Sequence, residues 1–267
     1  MEVKNRVRIT STAATVAALL GIEPPRQSEE GCAQISDAAA FAWNGARADR
    51  VVMYYNPDAV ALYLYQKYTE LYAPMTAVSP LAVPILSVMP SVTPVCFASM
   101  YTGAMPEVHG IRKYEKPVLT TDTIFDACIR AGKKCAIVST EGDSMSRIFL
   151  ERDMDYFIFP CVEAVNEKAF SLLFDNPYDL LVIYNGDYDG TMHRYGPESD
   201  EALSHLAANC QTFRQLHDAI RMYSAGERVA LAFAPDHGCH AIDGGLGSHG
   251  LDMEEDMNIL HFWKFIG

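Results

Sequence analysis

The chain has 267 residues, 49% hydrophobic and 21% charged, which suits a sizeable buried core in one large domain. A formal net charge of −13 argues against binding nucleic acid polymers or an anionic membrane surface. A small anionic substrate stays open, because bound divalent cations invert the field of a site whose surroundings are acidic.

The apolar stretch over residues 13–22 runs into GIEPP and reads as an ordinary helix of the mature protein. No run approaches the roughly 20 apolar residues that span a bilayer. The seven cysteines are scattered, with no CxxC pair, which fits free thiols in a reducing compartment and an expected cytoplasmic location. Residues 23–48 and 140–153 are irregular and are expected to form loops or small cap elements. RVVMYY at 50–55 predicts a buried strand, followed by a helix from 59 to about 72. A second strand is expected over 82–88, with a helix starting at Pro94. Residues 120–132 have the polar start and terminal glycine of a helix and lead into a strand over 134–139. A strand over 155–159 and a helix over 162–174 come next, then the apolar strand YDLLVIY at 178–184. Leu203, Leu206, Cys210, Phe213, Leu216 and Ile220 recur at helical spacing within 200–223. RVALAFA at 228–234 is another strand, and 261–266 a last one. The alternation predicts an α/β fold with a mostly parallel sheet. No Pro/Gly/Ser-rich linker divides it, so one catalytic domain over 1–267 is expected.

In open α/β sheets ligands bind beyond the carboxyl ends of the strands. Four predicted strands are followed there by groups suited to chemistry: Asp58; Thr93; Asp189 with His193; and Asp236 with His237. Asp189 and His193, spaced i, i+4, project from one face of a helical turn and could share a metal, although an Asp helix cap beside an unrelated His has the same pattern. Asp236 and His237 can reach one ion through the bend that Gly238 permits. His249, in the glycine-rich GSHG, competes with His240 as a further ligand and is preferred. Thr93 precedes Pro94 and so either caps a helix or presents its hydroxyl to a phosphate at the helix N-terminus. As a nucleophile it needs activation, which metal coordination supplies.

PSVTPVCFASMYTGAMPEVHGI at 90–111 resembles the nucleophile motif of the nucleotide pyrophosphatase/phosphodiesterase branch of the alkaline phosphatase superfamily. DGTMHRYGP at 189–197, PDHG at 235–238 and GSHG at 247–250 resemble its D-x-x-x-H-x-x-G-P, DHG and G-x-HG segments, in family order. The resemblance implies a three-layer α/β/α sandwich with a minimal cap. It implies a two-metal hydrolase of phosphate esters, acting on phosphodiesters or phosphomonoesters, with phosphonate hydrolysis as the nearest alternative. A non-catalytic binding module on the same scaffold is the other. By the resemblance, Thr93 is the nucleophile. Asp189, His193 and His249 hold one divalent ion, and Asp58, Asp236 and His237 the other, zinc being usual and manganese compatible with the carboxylates. An Asn that the family uses near the phosphate is absent; Tyr114 stands near its place, and Lys113 or Arg112 could contact the non-bridging oxygens, or both could be solvated surface charges. Only eleven residues separate His237 from His249. The pocket is therefore expected to be open, or completed by a second subunit of a homo-oligomer.

Overall fold

Where a run of residues is apolar on both sides of the chain, only a strand covered on both faces can bury it. Leu180–Asn185 and Val229–Phe233 are buried at every position, and both are central strands. The computed structural model describes residues 5–175 and 178–267; residues 1–4 and 176–177, which the expected domain includes, lie outside these. The strands are β1 (Val7–Arg8), β2 (Arg50–Pro57), β3 (Leu81–Leu86), β4 (Cys135–Thr140), β5 (Asp155–Phe159), β6 (Leu180–Asn185), β7 (Val229–Phe233), β8 (His240–Ile242), β9 (Leu246–Ser248) and β10 (Asn258–Ile266). Eight of them form one sheet in the order β1-β3-β10-β7-β2-β6-β4-β5. Every neighbouring pair in it is parallel except those of β10, which runs antiparallel to both β3 and β7. The remaining two, β8 and β9, pair as a hairpin formed by the short segment between His237 and His249.

The helices are α1 (Ser11–Leu20), α2 (Ala33–Ala42), α3 (Leu62–Lys67), α4 (Ala73–Thr76), α5 (Thr93–Thr102), α6 (Pro106–His109), α7 (Ile124–Arg130), α8 (Met145–Ile148), α9 (Val162–Asp175), α10 (Asp187–Tyr195), α11 (Asp200–Tyr223) and α12 (Glu254–Met257). On one face of the sheet α1, α2, α5 and α7 bury Val16, Ile35, Phe97 and Phe125 against Val51, Val182 and Trp263. On the other, α9, α10 and α11 bury Val165, Met192 and Phe213 against Val52, Leu181 and Phe233. This is an α/β/α sandwich, and α11 runs over 200–223 as its spacing predicts.

Three predicted elements differ. The helix over 59–72 is split into α3 and a 3-10 turn, Thr69–Tyr72, because Tyr68 leaves the helical region at φ −120°, ψ 45°. The helix over 120–132 is shorter: Thr123 and Asp126 form a reciprocal capping box that starts it at Ile124. The irregular stretch 23–48 contains α2, which buries only Ile35 and Ala39 and so shows almost no period.

Candidate metal centre and nucleophile

The strand ends gather the chemistry. Asp58 follows β2, Asp189 lies in the first turn of α10 after β6, and Asp236 and His237 follow β7. His249 follows β9, and Thr93 opens α5 beyond β3. Two groups have ligand atoms all within 4.8 Å of one another: Asp189, His193 and His249, and Asp58, Asp236 and His237. Their members are those grouped by the motifs. The rings of His237 and His249, one from each group, are 4.2 Å apart at their centroids, so the groups are neighbours.

Each imidazole is oriented by a backbone carbonyl. His193 Nδ1 is 3.0 Å from Gly247 O, His249 Nδ1 is 3.0 Å from Ser91 O, and His237 Nδ1 is 2.9 Å from Gly238 O. Since a carbonyl only accepts, Nδ1–H donates in all three, which leaves each Nε2 facing inward as the ring atom that could ligate an ion. Those nitrogens meet more acceptors. His193 Nε2 lies 3.1 Å from His249 Nε2 and 3.2 Å from Asp189 Oδ1, which is 3.4 Å from His249 Nε2. His237 Nε2 lies 3.3 Å from Asp58 Oδ1 and 3.4 Å from Asp236 Oδ2. Asp189 Oδ1 and Asp236 Oδ2 are buried without a hydrogen-bond partner. One buried, unpartnered carboxylate oxygen in each group calls for a cation, and tetrahedral ligands bonded at about 2.0–2.1 Å stand about 3.3 Å apart. The donor sets and spacings fit a divalent ion in each group.

The electrostatics agree. Burial, then the charge of Asp189, pushes the Asp58 carboxyl up to about 7, and burial with neighbouring Asp58 pushes Asp236 well up. Burial, then His249, pushes His237 down to about 3, keeping it neutral. Asp189 raises His193 to about 8. Burial opposes ionisation of Asp189, but the imidazoles of His193 and His249 outweigh it and hold its carboxyl well below the usual range.

Thr93 is the first residue of α5, not its cap. Val92 occupies the cap position, and no side chain caps the helix. The Thr93 hydroxyl instead lies 3.2 and 3.3 Å from the two Asp58 oxygens and 3.4 Å from His237 Nε2, at the positive end of the α5 dipole. It opens into a hollow of ≈ 320 Å³, whose walls include Asp58, Asp189, His193, His249, Tyr114 and Lys116. Tyr114 is thus on the wall, as expected. Lys113 is not; its ammonium faces Glu115 at 3.4 Å. Lys116 lines the hollow instead, donating to Gly142 O at 2.9 Å beside the Tyr114 ring.

Gly238 is needed for space more than for backbone freedom: a Cβ there would lie 1.9 Å from Glu255 O. The segment before it is fixed by three buried side chains that the sequence reading missed. Asn56 Nδ2 donates to Ala234 O at 2.8 Å, His261 Nε2 to Pro235 O at 2.8 Å, and Ser87 Oγ to Asp236 O at 2.6 Å. His240, the competitor of His249, bonds Asp256 at 2.7 Å, and that carboxylate also accepts from Leu251 N–H at 2.8 Å. His109 accepts from Ile111 N–H and bonds Ser99 Oγ at 2.9 Å, which is a packing role.

Fold and site together define an alkaline phosphatase-like α/β/α protein with an acidic, histidine-lined hollow at the strand ends. The structural neighbours belong to that superfamily. An inactive threonine-to-alanine variant of murine ectonucleotide pyrophosphatase/phosphodiesterase 5, in complex with AMP, superposes with a TM-score of 0.58 at 16% identity, covering 74% of this chain and 59% of that one. Phosphonoacetate hydrolase from Sinorhizobium meliloti, in complex with phosphonoformate, gives 0.54 at 19% identity over 73% and 59% of the two chains. The C-terminal periplasmic domain of the phosphoethanolamine transferase EptC from Campylobacter jejuni gives 0.59 at 13% identity over 82% and 80%. Human ectonucleotide pyrophosphatase/phosphodiesterase family member 7 is 35% identical over 65 residues, 24% of this chain and 14% of that protein. No protein-family model matches the chain.

Proposed function

We propose that the protein is a metal-dependent hydrolase of small phosphate esters with Thr93 as its nucleophile. The observation that carries this is the position of one hydroxyl, freed from helix capping, against one of two adjoining Asp/His groups, each with a buried carboxylate oxygen left without a partner. Asp189, His193 and His249 would hold one divalent ion, and Asp58, Asp236 and His237 a second, zinc or manganese. Such ions, when bound, neutralise charge on the threonine oxygen and on the phosphoryl group. The chain's own residues do the rest. Thr93 Oγ1 is held toward the hollow, and its proton points at the Asp58 carboxylate. A Thr93 O–P bond forms as the bond from phosphorus to the leaving oxygen breaks; the threonine proton passes to solvent, and solvent protonates the departing oxygen. Water then splits the intermediate to the free hydroxyl and either phosphate, from a monoester, or a phosphomonoester, from a diester. Tyr114 and Lys116 line the hollow that would take the ester. The inactive form of the murine relative, a threonine-to-alanine variant that binds AMP, is consistent with this role.

A second reading, phosphonate hydrolysis, is favoured by the likeness to phosphonoacetate hydrolase and by the Lys116 ammonium on the wall of the hollow. Metal analysis, with turnover of p-nitrophenyl phosphate, bis-p-nitrophenyl phosphate and phosphonoacetate, separates these readings. Turnover of either nitrophenyl ester by zinc- or manganese-loaded protein is expected. Cleavage of phosphonoacetate alone would favour the second reading. Neither metal uptake nor turnover of any of the three would leave a binding module.

A further inference from the structure

The catalytic reading gives no task to the Tyr184 phenol, a buried polar group on the wall of the hollow at the end of β6. Its Oη–H donates to Asp58 Oδ2 at 2.6 Å, while Asp58 Oδ1 is the oxygen turned to His237 Nε2 at 3.3 Å. Oδ2 is therefore the acceptor of the phenol, with the Thr93 hydroxyl 3.2 Å away, and Oδ1 is the oxygen nearer the ligand group. The phenol in turn is held from two sides. Phe97 meets its ring edge-on, with centroids 5.9 Å apart and planes at 77°. Gly186, two residues on, leaves room for the hydroxyl: a Cβ there would lie 2.6 Å from Tyr184 Oη and 3.1 Å from its Cε1 and Cζ. Backbone conformation gives no other reason for that glycine, since Gly186 has φ −101° and ψ 5°, open to any residue.

We propose that Tyr184 is a positioning residue, which fixes Asp58 as a one-oxygen ligand of the Asp58–Asp236–His237 group and depends on Gly186 to reach it. The inference rests on the reading of that group as a metal site. A carboxylate anchored through one oxygen loses less freedom when the other is engaged, and donors behind metal ligands typically contribute about 10–100-fold in metal affinity. Tyr184→Phe keeps the ring and its contact with Phe97 and removes only the donor. Gly186→Ala leaves the hydroxyl in the chain but pushes it off Asp58.

The test is zinc binding by competition with a chromophoric chelator, which needs no turnover. His193→Ala, which removes a ligand of the other group, identifies which of the two affinities belongs to which group. Tyr184→Phe is expected to weaken the Asp58–Asp236–His237 site about 10–100-fold and to leave the other near native. Gly186→Ala is expected to reproduce that selective loss, and the double variant to add little to Tyr184→Phe, because both act through one hydrogen bond. Native affinity at both sites in Tyr184→Phe would overturn the inference and spare the metal reading. Equal loss at both sites would show a merely structural tyrosine and overturn it as well. A native protein that takes up no zinc would overturn both.

Discussion

Thr93 sits at a helix start without capping it, and that separates its chemistry from its contribution to the fold. Pro94 in the first turn sets the backbone by itself, so deleting the hydroxyl costs little structure. Thr93→Ala is therefore expected to lower turnover of p-nitrophenyl phosphate by at least about 10³-fold, the scale of losing a nucleophile. Metal content by atomic emission should stay at the native value. Rates within a few-fold of native would remove Thr93 from its proposed role. At this scale the sequence was informative where spacing and strand ends coincide: Asp58, Asp189, His193, Asp236, His237 and His249 do converge. It was blind to Tyr184 and Ser87, which look like ordinary strand-end residues until the partner across the fold is known. It also put the wall lysine at Lys113, three residues short of Lys116. Beyond Gly110 the chain leaves the helix, and no period tells which basic side chain turns inward.

Among the elements, the segment leading from β7 into the site shows how a non-regular stretch is made rigid. Its carbonyls at 234, 235 and 236 receive three donors, from β2, from the residue just after β3, and from β10. Each donor is buried, so removal leaves an unsatisfied carbonyl rather than a hydrated one. His261→Phe preserves ring volume and deletes the donor. It is expected to cost about 1–3 kcal/mol in urea unfolding at neutral pH. An unchanged midpoint would show that the carbonyl finds another partner. Strand periods and apolar runs made most elements legible, because burial on both faces dictates them. Helix α2 was not, since an alanine-rich helix resting two side chains on its neighbours carries little pattern. The antiparallel direction of β10 was not legible either, because an apolar strand reads the same in both senses.

Over the whole molecule, two histidines outside the proposed ligand set tie stability to acidity. Burial pushes both His109 and His261 down to about 4, below the roughly 6.5 of an exposed imidazole. Between those values the unfolded chain binds protons that the folded one refuses. Stability from neutral burial is then full above about pH 6.5 and is lost as pH falls toward 4. In chelator-treated protein the raised carboxyls of Asp58 and Asp236 act the other way in this window, so the contribution of His261 is read as a difference: from pH 6.5 to 4 the native thermal midpoint is expected to change less favourably than that of His261→Phe. An equal change in the variant would contradict it.

The place of β10 also orders events in time. Strand β3, and through it the approach to Thr93, reaches β7 only by way of β10, which lies between them in the sheet. During synthesis the half of the sheet that leads to Thr93 joins β7 only once residues 258–266 have left the ribosome. The six Asp and His residues of the two groups all precede residue 258 and follow β7, β2, β6 and β9, so it is Thr93, rather than they, that waits for β10.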